Sequence, residues 1–233
     1  AREVAAFIGA RAEDLVFVPN VTTGLNAVLH SLPLGPGDEI LMTDLAYGAV
    51  ALAATSVARE RGAAVRTVAS PFPFSRPGQI VDAIRAALGA KTSVVIVDHV
   101  TANTGLVLPV TEIAAVCHER GVPVLVDGAH APGSIALDVP ALGVDWYSAN
   151  LHKWAHAPRS SGFLWAHADR QSDLRHPVVS WGSGQGFLRE FEWSATADPT
   201  PYLIAPVGLA LLQEWGFASV LRYMHELAWE GAA

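Results

Sequence analysis

Asp127 and Lys153 lie 26 positions apart, in the segments Val124-Leu-Val-Asp-Gly-Ala-His130 and Asp145-Trp-Tyr-Ser-Ala-Asn-Leu-His-Lys153-Trp154. The first segment closes a short apolar run with an acid, and the second places an amine just beyond the next run. An uncharged lysine amine condenses with an aldehyde to give a Schiff base. A carboxylate held against a heteroaromatic nitrogen keeps that nitrogen protonated, so the ring accepts electrons. Together the two residues supply what a pyridoxal phosphate site requires. The phosphate needs donors of its own, and Pro19-Asn-Val-Thr-Thr-Gly-Leu-Asn26 offers them. Thr22, Thr23 and Gly24 are expected to precede an apolar helix over residues 25–32, where free backbone N–H groups and hydroxyls converge at a positive helix end.

These residues must be held by a scaffold. Short apolar runs at residues 40–43, 64–68, 93–97, 123–126, 144–147 and 162–165 read as strands, and residues 48–61, 78–88 and 110–120 carry apolar side chains at helical spacing. This alternation implies a mostly parallel sheet with helices on both faces, whose strands are buried on both sides and therefore apolar without a break. Ligands of such sheets sit beyond the carboxyl ends of the strands, where Asp127 and the Thr101 loop both fall. Pro71-Phe-Pro-Phe-Ser-Arg-Pro77 reads as an extended connection. Residues 180–201, rich in Gly, Ser, Trp and Pro, read as a long irregular excursion of functional character.

With 233 residues, 51% of them hydrophobic and 16% charged, the chain can bury the core of a globular domain. The net charge of −7, without any lysine or arginine cluster, disfavours nucleic acid as a partner. The single cysteine, Cys117, excludes an internal disulfide and reads as a small buried hydrophobe. No run approaches the roughly 18–20 apolar residues of a membrane span and no segment has the form of a signal peptide, so no membrane partner and a cytoplasmic location are expected.

The Asp-Gly-Ala-His and His-Lys elements resemble those of the class V aminotransferase family of fold-type I enzymes. The resemblance implies a three-layer α/β/α fold around a mostly parallel seven-stranded-type sheet, with pyridoxal 5'-phosphate as cofactor. It implies Lys153 as the Schiff-base lysine and Asp127 as the partner of the pyridine nitrogen. Residues 19–26 are similar to the family's Asn-Ala-Thr-x-Gly phosphate turn, and Asn150 and His152 match residues that face the phosphate, Asn150 replacing a serine. Tyr47 matches a ring stacked on the pyridine, His130 a polar residue near the phenolic oxygen, and Thr101 a residue that supports Asp127 or the ring. The asparagine or serine usual after that position is Ala102 here, with Asn103 one place later.

Further along, Trp181-Gly-Ser-Gly and Glu190-Phe-Glu-Trp-Ser-Ala-Thr-Ala-Asp-Pro199, followed by Tyr202-Leu203, resemble isopenicillin-N-epimerase-like members of that family. Trp193, Thr196, Asp198, Pro199, Tyr202 and Leu203 match the pattern, while Ser194 and Ala195 replace its Thr-Gly. The resemblance implies racemisation or epimerisation at the α-carbon of a small amino acid. It also implies a homodimer in which Thr196 reaches the partner's phosphate in trans. A carbon–sulfur lyase or cysteine-desulfurase-like activity is the alternative, the latter weakened by the lack of a mobile-loop cysteine, and a truncated non-catalytic protein is a third. Residues 1–233 are expected to form the cofactor-binding large domain, with the family's N-terminal segment and C-terminal small domain absent. A metal at His152 and His156 is disfavoured by Pro158, which breaks the helix that would present both. Trp181-Gly-Ser-Gly-Gln-Gly186 lacks the preceding strand and following helix of a dinucleotide loop and reads as a flexible loop.

Overall fold

The computed structural model describes residues 1–71 and 73–232, so Phe72, inside the expected 71–77 connection, lies outside the described residues. Seven strands, β1 (Leu15–Val18), β2 (Glu39–Thr43), β3 (Ala64–Val68), β4 (Thr92–Asp98), β5 (Val124–Asp127), β6 (Trp146–Asn150) and β7 (Gly162–Ala166), form one sheet in the order β1-β7-β6-β5-β4-β2-β3. Strands β3, β2, β4, β5 and β6 run parallel, while β7 is antiparallel to β6 and β1 antiparallel to β7. The reversal follows from chain length. Residues 151–161 are too few for a crossover helix, which needs about a dozen residues or more, so β7 must return beside β6.

The helices are α1 (Arg2–Phe7), α2 (Val21–Ser31), α3 (Gly48–Arg61), α4 (Gly78–Ala87), α5 (Val110–His118), α6 (Phe187–Glu192), α7 (Thr200–Glu214) and α8 (Phe217–Ala232). They divide between two cores. Val95, Val97, Val124, Val126, Tyr147 and Phe163 point to one face, against α1, α4, α5 and α7. Their neighbours Val94, Ile96, Leu125, Trp146 and Leu164 point to the other, against α2, α3 and α6. Side chains alternate along each strand, so covering both faces favours unbroken apolar runs in the central strands, as at residues 94–97 of β4 and 124–126 of β5. No single helix among the described residues is long and apolar enough to cross a membrane.

Four expectations need correction. Strand β1 went unforeseen. Helix α2 starts at Val21, so Thr22 and Thr23 lie inside its first turn and Asn20 caps it. The 180–201 excursion contains α6 and the start of α7. Its glycine-rich turn is tied down by the buried Glu190 carboxylate, which accepts from Gly184 N–H at 2.7 Å and from the Ser183 hydroxyl at 3.3 Å.

Candidate active site

The parallel register aligns Asp98 of β4, Asp127 of β5 and Ser148 of β6 in one row, with Asn150 at the end of β6. Strand alternation turns all four toward the α2 and α3 face. Each end of the row meets a helix N-terminus. On the β6 side Asn150 Oδ1 accepts from Val21 N–H at 3.0 Å, and Asn20 Oδ1 accepts from Thr23 N–H at 2.9 Å. Of the donors expected to be free, the Thr23 hydroxyl also meets Asn20 Oδ1, at 3.2 Å, and Gly24 N–H meets the Asn20 carbonyl at 3.2 Å, so the Thr22 N–H and hydroxyl are the ones without a partner among the described residues. Gly24 permits this docking, since a Cβ there would sit 2.2 Å from Ser148 Oγ. On the β4 side Tyr47, 49% exposed, is the residue before α3, and its backbone N–H favours the ionised form of Asp98.

Asp127 is 3% exposed. Its Oδ1 accepts from Ala129 N–H at 2.9 Å, while Oδ2 is buried without a partner. A buried, unpaired carboxylate oxygen is costly unless a donor meets it, and a protonated ring nitrogen is such a donor. Burial pushes the Asp127 carboxyl up to about 6, with Ala129 N–H and Lys153 pulling it back. Asp98, also 3% exposed, is pushed further, to about 8, by burial and then by the Asp127 charge. Sequence reasoning passed over Asp98 because it reads as the last residue of an apolar strand.

Lys153 lies in the turn after β6. Its Nζ is 2.9 Å from His130 Nε2, and His130 Nδ1 accepts from the Trp154 indole N–H at 3.1 Å. Desolvation lowers the lysine below its usual value, although Asp127 and Asp98 act to raise it. Two glycines fit against this turn. A Cβ on Gly133 would lie 2.2 Å from the Trp154 carbonyl oxygen, and one on Gly208 of α7 would lie 2.5 Å from that of Ala155. His156 and Ser160, at φ 55° and 65°, are the non-glycine residues at positive φ among those described, so local strain is concentrated in the lysine turn. His152 donates from Nδ1 to the Ser161 carbonyl at 2.8 Å, which leaves Nε2 as an acceptor in the neutral ring.

Two predicted site residues stand apart. The Thr101 hydroxyl is bonded to Thr104 Oγ1 at 2.6 Å and to Leu106 N–H at 2.9 Å, closing its own turn, so none of its bonds supports Asp127. Thr196 is exposed on the loop before α7. That loop borders a cavity of about 610 Å³ lined by Phe17, Pro19, Phe191, Trp193 and Tyr202, and neither Lys153 nor Asp127 lines it. Among the described residues no group of three or more His, Cys, Asp or Glu is placed to hold a metal ion.

The family model for aminotransferase class V matches residues 1–230. The chain belongs to the aminotransferase class-V family. It is 38% identical to isopenicillin N epimerase of Amycolatopsis lactamdurans over 98% of its own length and 62% of that protein's. It is 30% identical to an L-cysteine desulfhydrase of Arabidopsis thaliana, over 93% of its length and 51% of that protein's. A solved structure of a C-DES mutant, with glycine covalently linked to the PLP cofactor, superposes with a TM-score of 0.89 at 29% identity, covering 99% of this chain and 64% of that one. The chain thus spans about half to three-fifths of the length of these relatives.

Proposed function

We propose that residues 1–233 form the cofactor-binding large domain of a pyridoxal 5'-phosphate enzyme that acts at the α-carbon of a small amino acid, by racemisation or epimerisation. The observation that carries this reading is the buried Asp127 Oδ2 without a partner, in the same site as a lysine amine bonded to a neutral imidazole. The residues fit the group. Lys153 is the amine that would bind it, Asp127 would meet the ring nitrogen, and Tyr47 and His130 would flank the ring. Thr22 and Thr23 at the α2 N-terminus, with Asn150 and His152, would border the slot.

When bound, the cofactor supplies an aldehyde carbon and a protonated ring that draws electrons from the α-carbon. Lys153, once its amine is free, would take the α-proton on one face, with His130 Nε2 2.9 Å from its nitrogen to orient it. Asp127 would hold the positive charge on the ring nitrogen. Epimerisation also requires a proton donor on the opposite face, and Tyr47, exposed at the mouth of the slot, is the side chain assigned to it. We assign the whole protein to a cytoplasmic homodimer, with Thr196 reaching the partner's phosphate.

The desulfhydrase relative supports a second reading, carbon–sulfur cleavage. Borohydride reduction of the loaded chain followed by peptide mass analysis should fix the cofactor on Lys153, and Lys153→Ala should abolish that adduct without unfolding the chain. Deuterium exchange with inversion at the α-carbon of L-amino acids supports the epimerase reading. Sulfide release from cysteine without inversion moves the assignment to the lyase, and failure to trap any cofactor sinks both.

A further inference from the structure

Trp154 is 42% exposed, yet its indole nitrogen is committed to the site by the 3.1 Å bond to His130 Nδ1, on the far side of the ring from Lys153. An indole N–H only donates, so His130 Nδ1 must present a lone pair. A neutral imidazole then carries its proton on Nε2, the nitrogen 2.9 Å from Lys153 Nζ. That N–H donates, so the lysine nitrogen must accept. An ammonium group has three donors and no lone pair, and cannot accept. The two bonds coexist only when Lys153 is the uncharged amine.

We propose that Trp154 is a positioning residue of the site: by holding His130 in the Nε2–H tautomer, it selects the uncharged, nucleophilic form of Lys153 before cofactor arrives. The sequence neighbour of the reactive lysine thus acts on it through a third residue, and the fold arranges this at Gly133. At φ +90° and with no Cβ, Gly133 lets the turn after His130 press against the Trp154 carbonyl, which brings indole and imidazole together.

The groups facing Lys153 pull in opposite directions. Asp127 and Asp98 favour the ammonium, while desolvation lowers the lysine; burial first, and the charge of Lys153 after it, lower His130 and His152. A tautomer lock that rewards the amine tips this balance toward the form with the lone pair that an aldehyde carbon needs.

The proposal gives a purpose to the functional reading above, yet it describes the cofactor-free chain and is tested there. In ¹⁵N-histidine-labelled full chain, long-range ¹H–¹⁵N correlations should show His130 protonated on Nε2 and bare on Nδ1. Competitive acetylation with acetic anhydride across pH, read by mass spectrometry, gives the titration midpoint of Lys153. Trp154→Phe keeps an aromatic ring but deletes the donor. It should release His130 into a mixture of tautomers and raise the Lys153 midpoint by about one unit, the size of one hydrogen bond. A wild-type His130 protonated on Nδ1, or equal Lys153 midpoints in both proteins, overturns the proposal. The wild-type tautomer decides even if the variant misfolds. A chain that meets these expectations but traps no cofactor would refute the functional reading and leave this one intact.

Discussion

Asp98 and Asp127 stand opposite each other in the parallel register of β4 and β5, on the same face of the sheet, each 3% exposed. Strands lie about 4.8 Å apart, so two buried carboxyl groups share one patch of floor. Like charges so placed resist joint ionisation. The ordering follows from their neighbours. Asp127, held to about 6, ionises first, and Asp98 keeps its proton to about 8.

This order makes stability depend on pH in the cofactor-free protein. Both folded values lie above the unfolded carboxyl value near 3.9, so the folded chain binds more protons than the unfolded one across that window. The stability these two groups contribute is full below the unfolded value and is lost as pH rises through about 6 for Asp127 and about 8 for Asp98. Asp98→Asn removes the second titration. Urea unfolding at a series of pH values should show the variant losing less stability than wild type between pH 6 and 8. Parallel curves would assign the pH dependence to other groups.

Under the proposed function, charge at Asp127 should matter for chemistry more than for retention of the cofactor. Asp127→Asn is nearly isosteric and can still accept from Ala129 N–H, but it no longer stabilises a protonated ring nitrogen. In the loaded protein, α-proton exchange should fall by about 10²-fold or more, while borohydride still fixes the cofactor on Lys153. Exchange at the wild-type rate would remove Asp127 from its assigned role.

Most of the sheet is legible in the sequence, because burial on two faces writes itself as unbroken apolar runs. Strands β2 to β7 all overlap the runs read for them. Strand β1 is four residues long and pairs with β7, so its identity rests on a contact nearly 150 positions away, which no local pattern encodes. The same reason hid Asp98 and Trp154. Each is ordinary in its own segment, and gains its role from a partner 29 or 24 residues along the chain, Asp127 and His130 respectively. The start of α2 was misplaced because Thr-Thr-Gly reads as a turn, whereas Asn20 caps the helix ahead of it and Gly24 is demanded by Ser148.

At the opposite end of the sheet, Asp145 gathers three donors: Val124 N–H at 2.7 Å, His118 Nε2 at 2.8 Å and Arg170 Nε at 2.7 Å. The arginine also lies 5.6 Å from the Trp146 ring. This cluster fastens β5 to β6, the strands that end in Asp127 and lead to Lys153. Asp145→Ala leaves the buried Val124 N–H unsatisfied and should cost about 2–3 kcal/mol in urea unfolding. A loss below about 0.5 kcal/mol would show that the cluster is dispensable.

Gly133→Ala tests whether the lysine turn is positioned by close backbone packing. The substitution fails on two counts, since φ +90° is strained for any residue with a Cβ and the added carbon would meet the Trp154 carbonyl oxygen at 2.2 Å and Ala155 N at 2.7 Å. Backbone atoms cannot swing aside as a side chain can. Relief must therefore come from moving the 130–134 turn away from the 152–155 turn, which lengthens both the Trp154–His130 and His130–Lys153 bonds. The expected outcome is a stability loss of about 1–3 kcal/mol together with a rise in the Lys153 titration midpoint. Gly121→Ala is the control: it too has a positive φ, +70°, but open space around the added carbon. That variant should lose stability through backbone strain alone and leave the lysine midpoint where it was. Equal lysine midpoints in the Gly133 variant and wild type would mean that the turn tolerates the shift without disturbing the site.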